Sequence, residues 1–76
     1  MTDVRKTVDT KGMSCPMPVL MTAKGMKDLA VGEVMLVEAT DAGSRSDIPA
    51  WATQTGNEIV ESAGDGNVLK FYIRKK

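Results

Sequence analysis

The chain predicts an α/β protein of the α+β type: a two-layer sandwich with two helices on one face of a four-stranded mixed sheet, in the order β-α-β-α-β-β. Three observations lead there. Two segments with helical spacing alternate with short strand-like segments. The last two strand-like segments are separated only by a glycine-rich turn, which makes them an antiparallel hairpin. The earlier segments are joined through helices, and such crossovers favour parallel pairing, so the sheet is mixed. With 76 residues there is material for one core, and residues 1–76 are read as a single domain.

Each element follows from its residues. Arg5 to Asp9 is a short strand, and Lys11-Gly12-Met13-Ser14 is a turn. Pro18 to Leu29 is a helix, because Val19, Leu20, Ala23 and Met26 recur at helical spacing. Gly25 weakens that helix by up to about 1 kcal/mol relative to Ala, and its size suits close packing. Val31-Gly32 breaks the chain. Glu33 to Thr40 is the strongest strand, and Val34 to Val37 shows no alternation, which fits a central strand or one buried on both faces. Asp41-Ala42-Gly43 is a loop, and Ser44 to Thr55 is the second helix, closed by Gly56. Its start has two solutions. Ser44 with Asp47 reads as a capping box, which leaves Pro49 inside the helix; Asp47 as N-cap places Pro49 in the first turn. Glu58 to Ala63 is a strand, Gly64-Asp65-Gly66-Asn67 a turn, and Val68 to Arg74 an alternating, half-buried strand.

Composition excludes several functions. Apolar residues make up 42% and charged residues 26%, a globular mixture rather than a disordered one. The longest apolar run, Val34 to Val37, is far short of the about twenty residues of a membrane helix, and no signal-peptide pattern opens the chain. A reducing cytoplasm is the expected location, with no membrane partner. One cysteine and no histidine rule out an internal disulfide, a histidine base and a zinc site built from several Cys or His, so neither metal nor cofactor is expected. Only Trp51, Phe71 and Tyr72 are aromatic. Aliphatic residues and methionines must fill the core, with Met21, Met26 and Met35 as candidates and Trp51 as a helix–sheet anchor.

The zero net charge hides an asymmetry. Residues 1–27 carry +3, residues 28–67 carry −7, and residues 68–76 carry +4. If the two basic ends meet in one sheet, they make a single positive face; otherwise they are solvated surface charges.

The one candidate for chemistry is Cys15-Pro16-Met17-Pro18. A strand leads through Gly12 to the cysteine, and a helix follows at once. The first turn of a helix presents unpaired N–H groups and a partial positive charge, and Pro16 and Pro18 are tolerated there. Met17 precedes a proline, so the regular helix is expected to begin at Pro18. A thiol in this place is expected to have a lowered pKa. The helix terminus supplies at most about 2 kcal/mol, so direct hydrogen bonds or Lys11 must add to it. The plain alternative is a small buried hydrophobe, the usual fate of a lone cysteine.

These residues resemble the TusA family of small sulfur carriers, also called SirA-like. The likeness runs through Asp9-x-x-Gly12-x-x-Cys15-Pro16-x-Pro18, then Asp41 and Asp47-Ile48-Pro49-Ala50-Trp51, and covers nearly the whole chain. It implies the same sandwich, and a carrier that takes sulfur on Cys15 as a persulfide without turnover of its own. It also implies two partner proteins. One is a donor such as a cysteine desulfurase or rhodanese; the other is an acceptor in tRNA thiolation, molybdenum cofactor assembly or sulfur oxidation. Gly12, Pro16 and Pro18 would shape the site. Lys11, Met13, Met17, Lys24, Arg45 and Asp47 are candidates for partner recognition, on a monomer. Two departures matter: Ala42 stands where many members have proline, and Ala52 where many have a second cysteine. A dithiol–disulfide cycle within the chain is thereby excluded.

Two other functions compete. The basic ends Arg5-Lys6 and Arg74-Lys75-Lys76 motivate a regulatory or RNA-binding module, against which stand zero net charge and few aromatics. A thiol reductase would need an external thiol to resolve Cys15 and ranks last.

Overall fold

The computed structural model describes residues 3–76. The elements are β1 (Val4–Thr10), α1 (Met17–Met26), β2 (Val34–Ala39), α2 (Ser44–Thr55), β3 (Glu58–Asp65) and β4 (Val68–Arg74). The strands form one sheet in the order β1-β2-β4-β3. β1 pairs with β2 in parallel, and the β2–β4 and β3–β4 pairs are antiparallel. The expected order and the mixed sheet are both present. β1 and β2 shift by one residue at each end, and two elements move further. β3 runs on to Asp65, so the hairpin turn tightens to Gly66-Asn67. α1 starts at Met17 and ends at Met26, short of Leu29, and the residues after it form turns.

β2 is central, as its lack of alternation suggested. Met35, Val37 and Ala39 are fully buried, whereas Leu36 and Glu38 are half-buried. Val8 of β1 and Phe71 and Ile73 of β4 join Met35 and Val37 through the strand register. Met26, Leu29 and Ile48 close this core, with Met21 and Trp51 packed against it. Burying a side chain the size of Ile73 or Met35 contributes about 1.5–3 kcal/mol relative to leaving it exposed.

The buried face of α1 matches the apolar spacing only in part: Met26 is buried and Val19 packs against the core, but Leu20 does not. Pro18, Thr22, Gly25 and Met26 face inward, and Leu20 is 54% exposed. Thr22 tolerates full burial because its hydroxyl donates to the Pro18 carbonyl at 2.7 Å. Gly25 explains why a small, partly polar stripe wins over a larger apolar one. A methyl group built on it would lie 2.7 Å from Val8 Cγ2 and 3.0 Å from Met35 Sδ. The helix therefore rides directly on the sheet, and a bulky stripe would hold it off.

Replacing Gly25 with Ala should raise helix propensity by up to about 1 kcal/mol yet overpack the helix–sheet contact at a cost of about 1–3 kcal/mol. The expected result is a net loss of about 1 kcal/mol or more in urea unfolding, partly recovered by adding Val8→Ala. A more stable Gly25→Ala would show that the contact yields easily.

Candidate functional site

The site is built at one end of the parallel pair. β1 and β2 run together to Thr10 and Ala39, which are register partners. The loops that leave them, one toward α1 and one toward α2, are therefore neighbours. Hydrogen bonds tie them. Thr10 Oγ1 donates to the Glu38 carbonyl at 2.6 Å, and the Gly12 N–H donates to Thr40 Oγ1 at 2.9 Å. Gly12 reaches that acceptor with φ +83°, a conformation open to glycine and rare for other residues. The Met13 N–H donates to the Thr10 carbonyl at 3.1 Å and closes the turn.

Cys15 follows this turn and is exposed, so it is not a core hydrophobe. Its bond to Pro16 is cis. Pro16 is the N-cap of α1, and helical geometry begins at Met17, one residue before the expected start. The capping side chain that many helices use is absent.

The thiol is pushed above its ordinary pKa, the reverse of the expected shift. Neighbouring atoms strip water from the sulfur, which is the largest cause. The Asp47 charge and its carboxylate as acceptor for the S–H come next, and the Asp41 charge follows. The expectation failed for a reason visible in the motif itself. Pro16 and Pro18 have no N–H, and the Met17 N–H already donates to the Ser14 carbonyl at 2.9 Å. The prolines that stiffen the turn thus remove the donors a thiolate would need. Lys11 does not compensate, because its ammonium lies 3.1 Å from Asp9 Oδ1 and 3.2 Å from Glu38 Oε1.

α2 spans Ser44–Thr55, the range expected, but its cap departs from both expected solutions. Gly43 is its N-cap, no side chain caps it, and Pro49 lies inside the helix. Asp47 is neither N-cap nor half of a capping box.

Of the recognition candidates, Met13 and Met17 flank Cys15 in the chain, and the Asp47 charge acts on its thiol. Met17 is 42% exposed, and the outward-facing Leu20 lies one helical turn further on. Lys24 lies beside Lys6 and Asp28 in a groove between β1 and α1, and Arg45 borders grooves toward β3 and β4; Cys15 lines neither. Asp41 was read in the sequence only as a loop residue. Its signal was topological: it follows the strand that pairs in parallel with the strand leading to Cys15.

Reaction of Cys15 with iodoacetamide should rise through a midpoint above that of a free cysteine peptide measured in parallel. Asp41→Asn should move that midpoint down, since removing a negative charge favours the thiolate. A wild-type midpoint at or below the peptide's would contradict the site electrostatics.

Comparison with known proteins agrees with this geometry. Residues 6–75 match the family described as sulfurtransferase TusA. The sulfur carrier protein TusA of Allochromatium vinosum is 41% identical over 75 residues, which is 99% of each chain. YrkF of Bacillus subtilis is 47% identical over 68 residues, 90% of this chain, and the match spans only 37% of YrkF. The crystal structure of a SirA-like protein from Desulfitobacterium hafniense matches with a TM-score of 0.80 and 28% identity, over 91% of this chain and 95% of that one. The chain belongs to the TusA family.

Proposed function

We propose that this chain is a sulfur carrier: Cys15 receives a sulfane sulfur as a persulfide and passes it to an acceptor protein. The observation that carries the reading is an exposed thiol held on a stiff turn at the rim of the sheet, in a chain of the TusA family. The donor is a persulfide-bearing protein of the cysteine desulfurase or rhodanese kind. The acceptor belongs to tRNA thiolation, molybdenum cofactor assembly or sulfur oxidation. The carrier works as a cytoplasmic monomer that meets the two partners in turn, which an open thiol permits.

Docking falls to the apolar rim beside the thiol. Met17 and Leu20 are among the few large apolar side chains left exposed. Methionine adapts its shape readily, which suits a surface that must fit both a donor and an acceptor.

RNA binding draws no support from the charge pattern. β1 and β4 flank β2 and bring Arg5 and Arg74 to one groove at the same end of the sheet, but Glu33 lines that groove with them and the basic groups are paired. Arg5 pairs with Glu33, Lys6 with Asp28, and Arg74 and Lys76 with Glu58. The Lys75 ammonium donates to the Leu29 carbonyl at 2.8 Å.

Incubating reduced protein with a cysteine desulfurase and cysteine should add one or more sulfur atoms to the intact mass. Dithiothreitol should remove the addition, and Cys15→Ser should prevent it. No adduct from any donor, in folded protein with a titratable thiol, would end the carrier reading. Met17→Asp with Leu20→Asp should slow loading from the enzyme donor about tenfold, equal to about 1.4 kcal/mol. Loading of that variant from a small alkyl hydropersulfide should be unchanged.

A further inference from the structure

The turn that carries Cys15 has little to hold it. Gly12, Ser14, Cys15 and Pro16 are exposed, and Met13 is half-buried. Most of its hydrogen bonds are local: the Lys11 N–H donates to Asp9 Oδ1, the Met13 N–H to the Thr10 carbonyl and the Met17 N–H to the Ser14 carbonyl. Among the described residues, only the bond from the Gly12 N–H to Thr40 Oγ1, at 2.9 Å, ties residues 12–16 to a segment remote in sequence. Packing does not replace it at that point, because a methyl group built on Gly12 would meet no atom within 4 Å. At φ +83°, the freedom that lets glycine make the turn would equally let the turn wander. The hydrogen bond opposes that freedom.

The acceptor sits on a firm base. Thr40 directly follows Ala39, which is fully buried and is the register partner of the fully buried Thr10. Its hydroxyl therefore lies one residue off the end of the parallel pair. A β-branched side chain is stiff at χ1, so Oγ1 moves little relative to that end. The Thr10 hydroxyl donates to the Glu38 carbonyl at 2.6 Å, and the Lys11 ammonium donates to Glu38 Oε1 at 3.2 Å, which ties the start of the turn to β2. Beyond the turn, Pro18 is buried in α1. Cys15 thus lies between two anchored ends, and Thr40 pins the span that joins them.

We propose that Thr40 is a positioning residue for sulfur loading: by holding Gly12, its hydroxyl keeps the Cys15 thiol where a docked donor presents its persulfide. The inference rests on Cys15 being the carrier thiol. The step it serves is redox-neutral. Cys15 gives its proton to solvent, a bond forms between Cys15 Sγ and the donor's terminal sulfur, and the bond from that sulfur to the donor cysteine breaks. The donor leaves as a thiolate. Thr40 acts through Gly12 on the fraction of docked complexes whose sulfurs are aligned. A small donor approaches the thiol from any open side and is indifferent to that alignment. A protein-bound persulfide has few approaches, and a misplacement of about 1 Å can cost about a hundredfold in rate.

The test is the loading kinetics of Thr40→Val and Thr40→Ser. Valine keeps the shape and lacks the acceptor, and serine keeps the hydroxyl. Loading is followed in single turnover from a cysteine desulfurase already carrying its persulfide, over a range of carrier concentrations, and separately from a small alkyl hydropersulfide. In Thr40→Val the maximal rate from the enzyme should fall about tenfold, while the carrier concentration at half that rate stays within about twofold of wild type. Loading from the hydropersulfide should be unchanged, and Thr40→Ser should recover most of the enzyme-dependent rate. Exchange of the Gly12 amide proton with heavy water should quicken in Thr40→Val. A wild-type maximal rate in Thr40→Val overturns the proposal, and so does unchanged Gly12 exchange. An effect confined to the half-maximal concentration makes Thr40 a docking contact and overturns it. Equal losses with both donors overturn it as well, since the thiol itself has then changed. So does a Thr40→Ser as slow as Thr40→Val, since the hydroxyl is then not what counts. Wild-type protein that takes no sulfur from either donor overturns the carrier reading itself, and this inference with it.

Discussion

The site depends on the parallel pairing of β1 with β2. In parallel strands the carboxyl ends lie together, and each must leave the sheet through a connection to a covering element. Here both connections lead to helices on the same side, so two loops emerge side by side. One carries Gly12 and Cys15; the other carries Asp41 and Gly43. The bond from the Gly12 N–H to Thr40 Oγ1 locks one loop to the other. Had the first two strands paired antiparallel, Cys15 and Asp41 would lie at opposite ends of the sheet. The chemistry of the cysteine is thus settled by strand direction, some distance from any residue that touches it.

Strand direction also decides which charges the thiol feels. A cysteine at a helix start is commonly read through its own helix, whose N–H groups and dipole favour a thiolate. In this chain that influence is blunted by Pro16 and Pro18, which bring no N–H, and by the engagement of the Met17 N–H with Ser14. The nearest formal charges then belong to the neighbouring loop and helix, and both are negative. The motif fixes where the sulfur is; desolvation and then the partner loop and helix raise its pKa. The two can change independently, so similar motifs can hold thiols of different reactivity.

Much of this was legible in the residues. The six elements, the central place of β2, the closing hairpin and the exposed cysteine all follow from local patterns that act within a few residues. What failed was the choice between alternatives of similar local merit. Apolar spacing on α1 picked Val19, Leu20, Ala23 and Met26, yet the helix turned its Thr22 and Gly25 stripe inward. The gain came from close approach to Val8 and Met35, residues that are remote in sequence. The start of α2 offered two side-chain caps, and backbone carbonyls supplied the bonds instead. Asp41 looked like an ordinary loop residue because its importance depends on a strand pairing. In each case the deciding contact was tertiary, and no window along the chain contains it.

The two carboxylates bear on the loaded cysteine as well as on the empty one. A persulfide is a stronger acid than the thiol it is made from, so sulfur loaded on Cys15 carries more negative charge at neutral pH than the empty cysteine did. Asp47 and Asp41, which disfavour negative charge on Cys15, act in the same sense on the charge brought by the added sulfur. The empty thiol is therefore quiet toward solution electrophiles, and the loaded form is raised in energy relative to one beside a cation. A carrier gains from both. A site that welcomed the anion, as a lysine or a run of free N–H groups would, would hold its cargo more firmly and meet unwanted oxidants more often. On the proposed reading, the carboxylates make the empty Cys15 slow to react with solution electrophiles. They then favour handing the sulfur on over keeping it.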